Sequence, residues 1–217
     1  MPTDHSDRLP RSPYERALGS AFAGLHPKLL TYFSAIPAGA VGSGAGVFDV
    51  VGTPRRWLWP VLWILGRAGI VFPVCEHDVP FTVINRPTTD ATGEPAVRAV
   101  RRFRFDGGDR EMVDVISAGP AGLSDRLGRG GLISATFAAT VADRGLALRS
   151  DRIRVHLGAI TVGLPAALSP VVRLSERFDD ATGLQRVTVT IDVSLIGRVY
   201  EYSGSFGYSV NSGGEPS

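Results

Sequence analysis

The sequence predicts an α+β fold: a strongly curved or barrel-like antiparallel meander sheet, with two N-terminal helices and one Trp-rich helix. Three observations predict it. Residues 184–210 alternate apolar and polar side chains in two runs around a break. From Val79 onward, further short runs follow one another between breaks built from Gly, Pro and Asp. Two early stretches open with helix-starting residues, Ser12-Pro13 and Pro27. A meander with so few helices calls for one curved or closed sheet, since parallel sheets need a helix between successive strands.

Composition agrees with a folded protein and narrows its partners. Of the 217 residues, 44% are hydrophobic and 20% charged, far from the balance that leaves a chain disordered. The 23 basic residues are nearly cancelled by 21 acidic ones, so a pI near 9.0 gives no reason to expect nucleic acid. Cys75 is the one cysteine, which rules out an intrachain disulfide. Residues 1–11 are polar and lack the apolar segment of a signal peptide, so the expected setting is cytoplasmic. The expected organisation is a single domain over 12–210, with disordered tails at 1–11 and 211–217.

In order along the chain, Ser12-Pro13-Tyr14-Glu15 reads as a capping box with proline at the first helical position. This helix should run on through Leu18 and Phe22 to Gly24, and a second, from Pro27, carries Leu29, Leu30 and Phe33. The glycine-rich stretch 39–46 lacks the GxGxxG spacing and is followed by a strand-like run, so it reads as a flexible turn and not a dinucleotide site. Thr53-Pro54 opens the Trp-rich helix, which holds all three tryptophans and is apolar all round, with Pro60 expected to kink it. Its apolar run is shorter than the roughly 18–20 residues a membrane span requires. The expectation is a helix buried on both sides, plugging the sheet; the alternative places it in a membrane interface or a partner groove.

Strands are expected at Val79–Asn85, Val97–Phe105, Arg110–Ile116, Leu132–Val141, Leu146–Arg149, Ile153–Val162 and Val171–Phe178. Asp106-Gly107-Gly108-Asp109 marks a hairpin, and Pro165 a break. The last hairpin then sets Val187, Val189, Ile191 and Val193 on one face of its first arm, and Tyr200, Tyr202, Phe206 and Tyr208 on one face of its second.

Several phrases together resemble an uncharacterised bacterial family, domain of unknown function 4166. They are Tyr14–Phe33, Pro80-Phe81, Arg101–Phe105, Asp125–Gly128 and Ile196–Phe206. The resemblance covers about residues 12–210 and implies no activity. It does imply a stand-alone protein, since members either stand alone or are fused behind an oxidoreductase-like dinucleotide-binding domain, which the given sequence does not contain.

The candidate site rests on charges that share a face with apolar residues. Arg101 alternates with Ala99, Phe103 and Phe105, and Glu176 with Val172, Leu174 and Phe178. Buried charges need partners. Either Arg101 and Glu176 pair with each other (or a bulge turns one outward), or Arg101 clamps the acidic head of a ligand. In that second case Phe103, Phe105, Tyr200 and Tyr202 would surround its tail. The outward row Arg98, Arg102 and Arg104 reads as a solvated face paired with Glu111. Cys75-Glu76-His77-Asp78 is too local for a metal site, because neighbours on an extended chain point alternately. The expected function is therefore non-enzymatic binding of a small apolar or amphipathic, acidic lipid-like ligand in a sheet-lined cavity, with no cofactor, metal or catalytic residue assigned. The alternatives are a module that docks on a separate oxidoreductase or a membrane surface through the Trp-rich helix, and a cofactor-independent isomerase or cyclase using the same cavity.

Overall fold

A computed structural model describes residues 11–158, 160–163 and 169–212. Its strands are β1 (Ala40–Gly52), β2 (Cys75–Thr89), β3 (Pro95–Phe105), β4 (Gly108–Gly119), β5 (Gly122–Leu127), β6 (Ile133–Ala142), β7 (Gly145–Leu157), β8 (Ile160–Gly163), β9 (Pro170–Asp179), β10 (Leu184–Val193) and β11 (Gly197–Ser212). The helices are α1 (Pro13–Leu18), α2 (Pro27–Phe33) and α3 (Trp59–Arg67). All neighbouring strands pair antiparallel in the order β6-β5-β4-β3-β2-β1-β11-β10-β9-β7, and β6 also pairs with β7, so ten strands close a barrel. β8 extends β7 as a short extra hairpin arm. The break expected at Pro165 and the tails at 1–10 and 213–217 lie outside the described residues, while Asn211 and Ser212 continue β11.

Helices cover both ends. At one end, the capping box forms as read: the Ser12 hydroxyl accepts from the Glu15 N–H at 3.1 Å, and the Glu15 carboxylate accepts from the Ser12 N–H at 2.6 Å. The α-helix stops at Leu18, with Gly19 at a φ of 54°, and continues as a 3-10 turn to Gly24. Leu18, Leu29 and Phe33 go into the barrel against Leu123, Phe137 and Leu146. The outer contacts hold the helices in place, with Arg16 paired to Glu94 at 2.6 Å and His26 reaching Asp180 at 3.2 Å.

α3 covers the other end, and here the expectation is corrected. Leu62 is buried and Leu58 and Leu65 pack beneath it, but Trp57, Trp63 and Ile64 face outward, and Val61 is exposed at the rim of the barrel interior. The helix is therefore buried on one side only. Pro60 sits in its first turn, where the missing N–H breaks no bond, so it starts the helix instead of kinking it.

The glycine-rich stretch is a strand, not a turn. Gly42, Gly44 and Gly46 recur at the strand period along β1, beside Tyr208 and Phe206 of β11. A Cβ on Gly42 would lie 1.6 Å from the Tyr208 hydroxyl, and one on Gly46 would lie 2.0 Å from the Ser205 carbonyl oxygen. The exchange is reciprocal: Phe48 on β1 lies over Gly204 on β11. The sheet gains its aromatic interior because the neighbouring strand surrenders its side chains. Elsewhere, β5 was not expected, and β7 runs unbroken through 150–152 before turning at Gly158, which has a φ of 61°.

Candidate functional site

The barrel interior divides into a packed half and a hollow half. Phe48, Phe72, Phe81, Phe103 and Phe105 stack on the β1–β3 side, with ring centroids 4.0 Å apart for Phe48 and Phe81 and 5.7 Å for Phe103 and Phe105. On the other side, β3–β7 and β9–β11 enclose a cavity of about 290 Å³. Its floor is Tyr14 and Tyr32 from the N-terminal helices, and its roof is Leu58, Val61, Leu62 and Leu65 around α3. The walls are mostly apolar, among them Ile116, Val172, Leu174, Val189 and Ile191.

Four charge-bearing side chains reach this space: Arg101, Asp114, Asp125 and Glu176. Strand alternation puts them there. Arg101 lies between inward Ala99 and Phe103, Asp114 between Met112 and Ile116, and Asp125 between Leu123 and Leu127. The Arg101 guanidinium donates to the Asp114 carboxylate on the diagonal across β3 and β4, two residues beyond its own cross-strand partner Met112. Asp114, and not Glu176, is thus the ion-pair partner of Arg101. Burial pushes the Asp114 carboxyl up while Arg101 pulls it back, and of the neighbouring acids it is the one held by a guanidinium.

Asp125 and Glu176 have no such direct partner. Burial, with the nearby Asp114 charge added, raises the Asp125 carboxyl well above the usual range. Burial likewise lifts Glu176 to about 7, against the pull of Arg101 and the Gln185 amide. Asp114 Oδ2 and Asp125 Oδ1 are buried without a hydrogen-bond partner among the described residues. Tyr202 is pushed up to about 12 by burial and the Tyr32 hydroxyl is raised as well, so both stay neutral donors. The wall therefore offers two carboxyls whose burial favours the protonated form, a compensated ion pair, and tyrosine hydroxyls.

Of the six residues the sequence singled out, Arg101, Glu176, Tyr200 and Tyr202 line the cavity, and Phe103 and Phe105 lie in the aromatic packing beside it. The Tyr200 hydroxyl has a structural partner, accepting from the Phe72 N–H at 3.3 Å and so tying the segment after α3 to β11. Sequence reasoning missed Asp114 and Asp125. The signal was present: each is a lone acid on the apolar side of an alternating run, as Arg101 and Glu176 are. On the outer face, Arg102 pairs with Glu111 at 2.7 Å. No three His, Cys, Asp or Glu side chains among the described residues converge as a metal site would require.

Fold and site together define a class, the closed antiparallel barrel with helices over both ends and an ionisable, mostly apolar interior cavity. Residues 25–206 match the family described as Domain of unknown function (DUF4166), and the chain belongs to that family. No curated protein and no solved structure matches it. No described helix is long and apolar enough to cross a membrane.

Proposed function

We propose that the barrel binds a small apolar or amphipathic molecule in its interior cavity. The observation that carries this reading is the coexistence of open volume and charge. A packing-only interior would fill about 290 Å³ with side chains and avoid buried acids, since each void and each unpaired charge weakens the fold. Ligand sites have the opposite make-up, mostly apolar walls with a few placed polar groups. Arg101 is already held by Asp114, which argues against an acidic head group. Native mass spectrometry and thermal melting test the proposal. Wild-type protein should carry a releasable adduct, or gain melting temperature with n-octanol. Leu174→Trp, which fills the cavity, should do neither; identical behaviour of the two proteins sinks the reading.

A second reading concerns the roof. Trp57 is 61% exposed and Trp63 55%, and Leu195, at the hairpin tip on the same end of the barrel, is 77% exposed. Arg67 lies over the Trp63 ring at 5.0 Å and Arg56 over that of Trp59 at 5.6 Å, and neither makes an ion pair with a described residue. Exposed tryptophan beside unpaired arginine suits an anionic lipid surface, with the indoles at headgroup level. We read this face as the side that rests on such a surface, placing the cavity roof where amphipathic molecules are concentrated.

A further inference from the structure

We infer that the molecule the cavity takes is an apolar amine, held as its ammonium by the carboxyl groups of the wall. This rests on the cavity-binding reading above and names the class of ligand.

Among the described residues, the cavity wall carries one guanidinium and three carboxyl groups. Arg101 and Asp114 satisfy each other's charge. What remains is a surplus of acceptors: Asp114 Oδ2 and Asp125 Oδ1 are buried and unpartnered, and Glu176, itself 5% exposed, faces the same space from β9. An ammonium is three N–H donors and no acceptor, so it complements that surplus. A carboxylate ligand brings only further acceptors and a further negative charge. An alcohol brings a single donor.

The remaining polar groups facing the site can donate single hydrogen bonds but carry no positive charge, so the charge of an ionised carboxyl is left for the ligand to meet. Tyr14 comes from α1, Tyr32 from α2 and Tyr202 from β11, and burial keeps all three hydroxyls neutral. Gln185 lies beside Glu176 from β10. Its Nε2 is a further buried donor without a partner among the described residues, and it too is uncharged.

The proton balance follows. In the free protein Glu176 holds its proton below about 7, and burial favours the protonated form of Asp125 as well. An arriving ammonium stays protonated, the carboxyl that receives it releases its proton to solvent, and the ion pair forms inside. Binding therefore tightens as pH rises through about 7, the range in which Glu176 titrates.

Isothermal titration calorimetry on the full chain, with n-octylamine, n-octanol and n-octanoate on either side of neutral pH, tests this. We expect n-octylamine to bind about tenfold or more tighter than n-octanol. Its heat should change between buffers of different ionisation enthalpy by the amount that net proton release requires. Asp125→Asn and Glu176→Gln should bring n-octylamine down to the level of n-octanol while n-octanol binding persists, which also verifies that the variants fold. If n-octanol binds as well as n-octylamine, the amine assignment fails and cavity binding stands. If n-octanoate binds tightest, the assignment also fails and Arg101 becomes the head-group ligand. If no probe binds, both the assignment and the cavity reading fail.

Discussion

Arg101 on β3 donates to Asp114 on β4, and this pair neutralises the only guanidinium that reaches the cavity from the described residues. Asp114 is 1% exposed, so the two charges depend on each other. Removing one partner of a buried pair leaves the other uncompensated, typically at about 3–5 kcal/mol. Asp114→Ala should lose stability on that scale in urea unfolding. The double variant Arg101→Met/Asp114→Leu should recover most of it, because apolar replacement of both partners is often neutral or better.

Stability should fall as pH rises from about 4.5 to about 7, and Glu176 is the reason. Below that window the carboxyl is protonated in both the folded and unfolded chain and contributes no difference. Within it the unfolded chain releases the proton while the folded one retains it, so the unfolded state binds fewer protons and the fold weakens. The window corresponds to roughly 3 kcal/mol for a fully buried group. Urea midpoints taken across it should decline for wild type and decline much less for Glu176→Gln. Asp125, raised in the same direction, should leave a residual slope.

The β1 glycines should be intolerant of a methyl group. In Gly46→Ala the new Cβ would meet the Ser205 carbonyl at 2.0 Å and the Phe206 Cα at 2.6 Å, both backbone atoms that cannot step aside. Overpacking of this kind costs about 1–3 kcal/mol or more. Gly107→Ala, with no atom within 4 Å of its Cβ, should stay within about 0.5 kcal/mol of wild type. Thermal melting of the two variants side by side checks the contrast.

Trp57→Ser/Trp63→Ser should separate the roof's outer face from its inner one. Both indoles are exposed, so melting should barely change. Sedimentation with vesicles containing anionic lipid should show binding by wild type and its loss in the variant. Leu62→Ala, on the buried side of the same helix, should instead cost about 2–5 kcal/mol. Equal vesicle binding by wild type and the double-serine variant would remove the membrane reading.

Two-residue periodicity made most of this barrel legible in the sequence, because an inward-facing strand cannot hide its alternation. It failed where side chains are absent or atypical. Gly42, Gly44 and Gly46 carry the same period as Val187 and Val189, but a position without a side chain registers no hydrophobicity, so the strand looked like a turn. The Trp-rich helix misled in the opposite way. Uniform apolarity reads as complete burial, whereas a helix across a barrel end has only one face on the core. The cavity was half legible: single residues on apolar faces are visible, but their pairing depends on register, and Arg101 lies nearer Asp114 than Glu176 only once β3 and β4 are aligned. Closure itself depends on β1 meeting β11, a pairing of strands far apart in the chain that leaves no local signature.

The pairing of β1 with β11 brings Ala40 opposite Ser212, so the first and last strands of the meander are neighbours. During synthesis on the ribosome, the edges of β1 and β10 stay bare until residues 197–212 have cleared the exit tunnel. Sealing is therefore a late event that requires contact between remote parts of the chain, the kind of step that slows folding and leaves nascent edges open to mispairing. A stop codon ahead of Gly197 would yield an open sheet with its oily lining turned to water, a species that chaperones would have to shield or proteases remove.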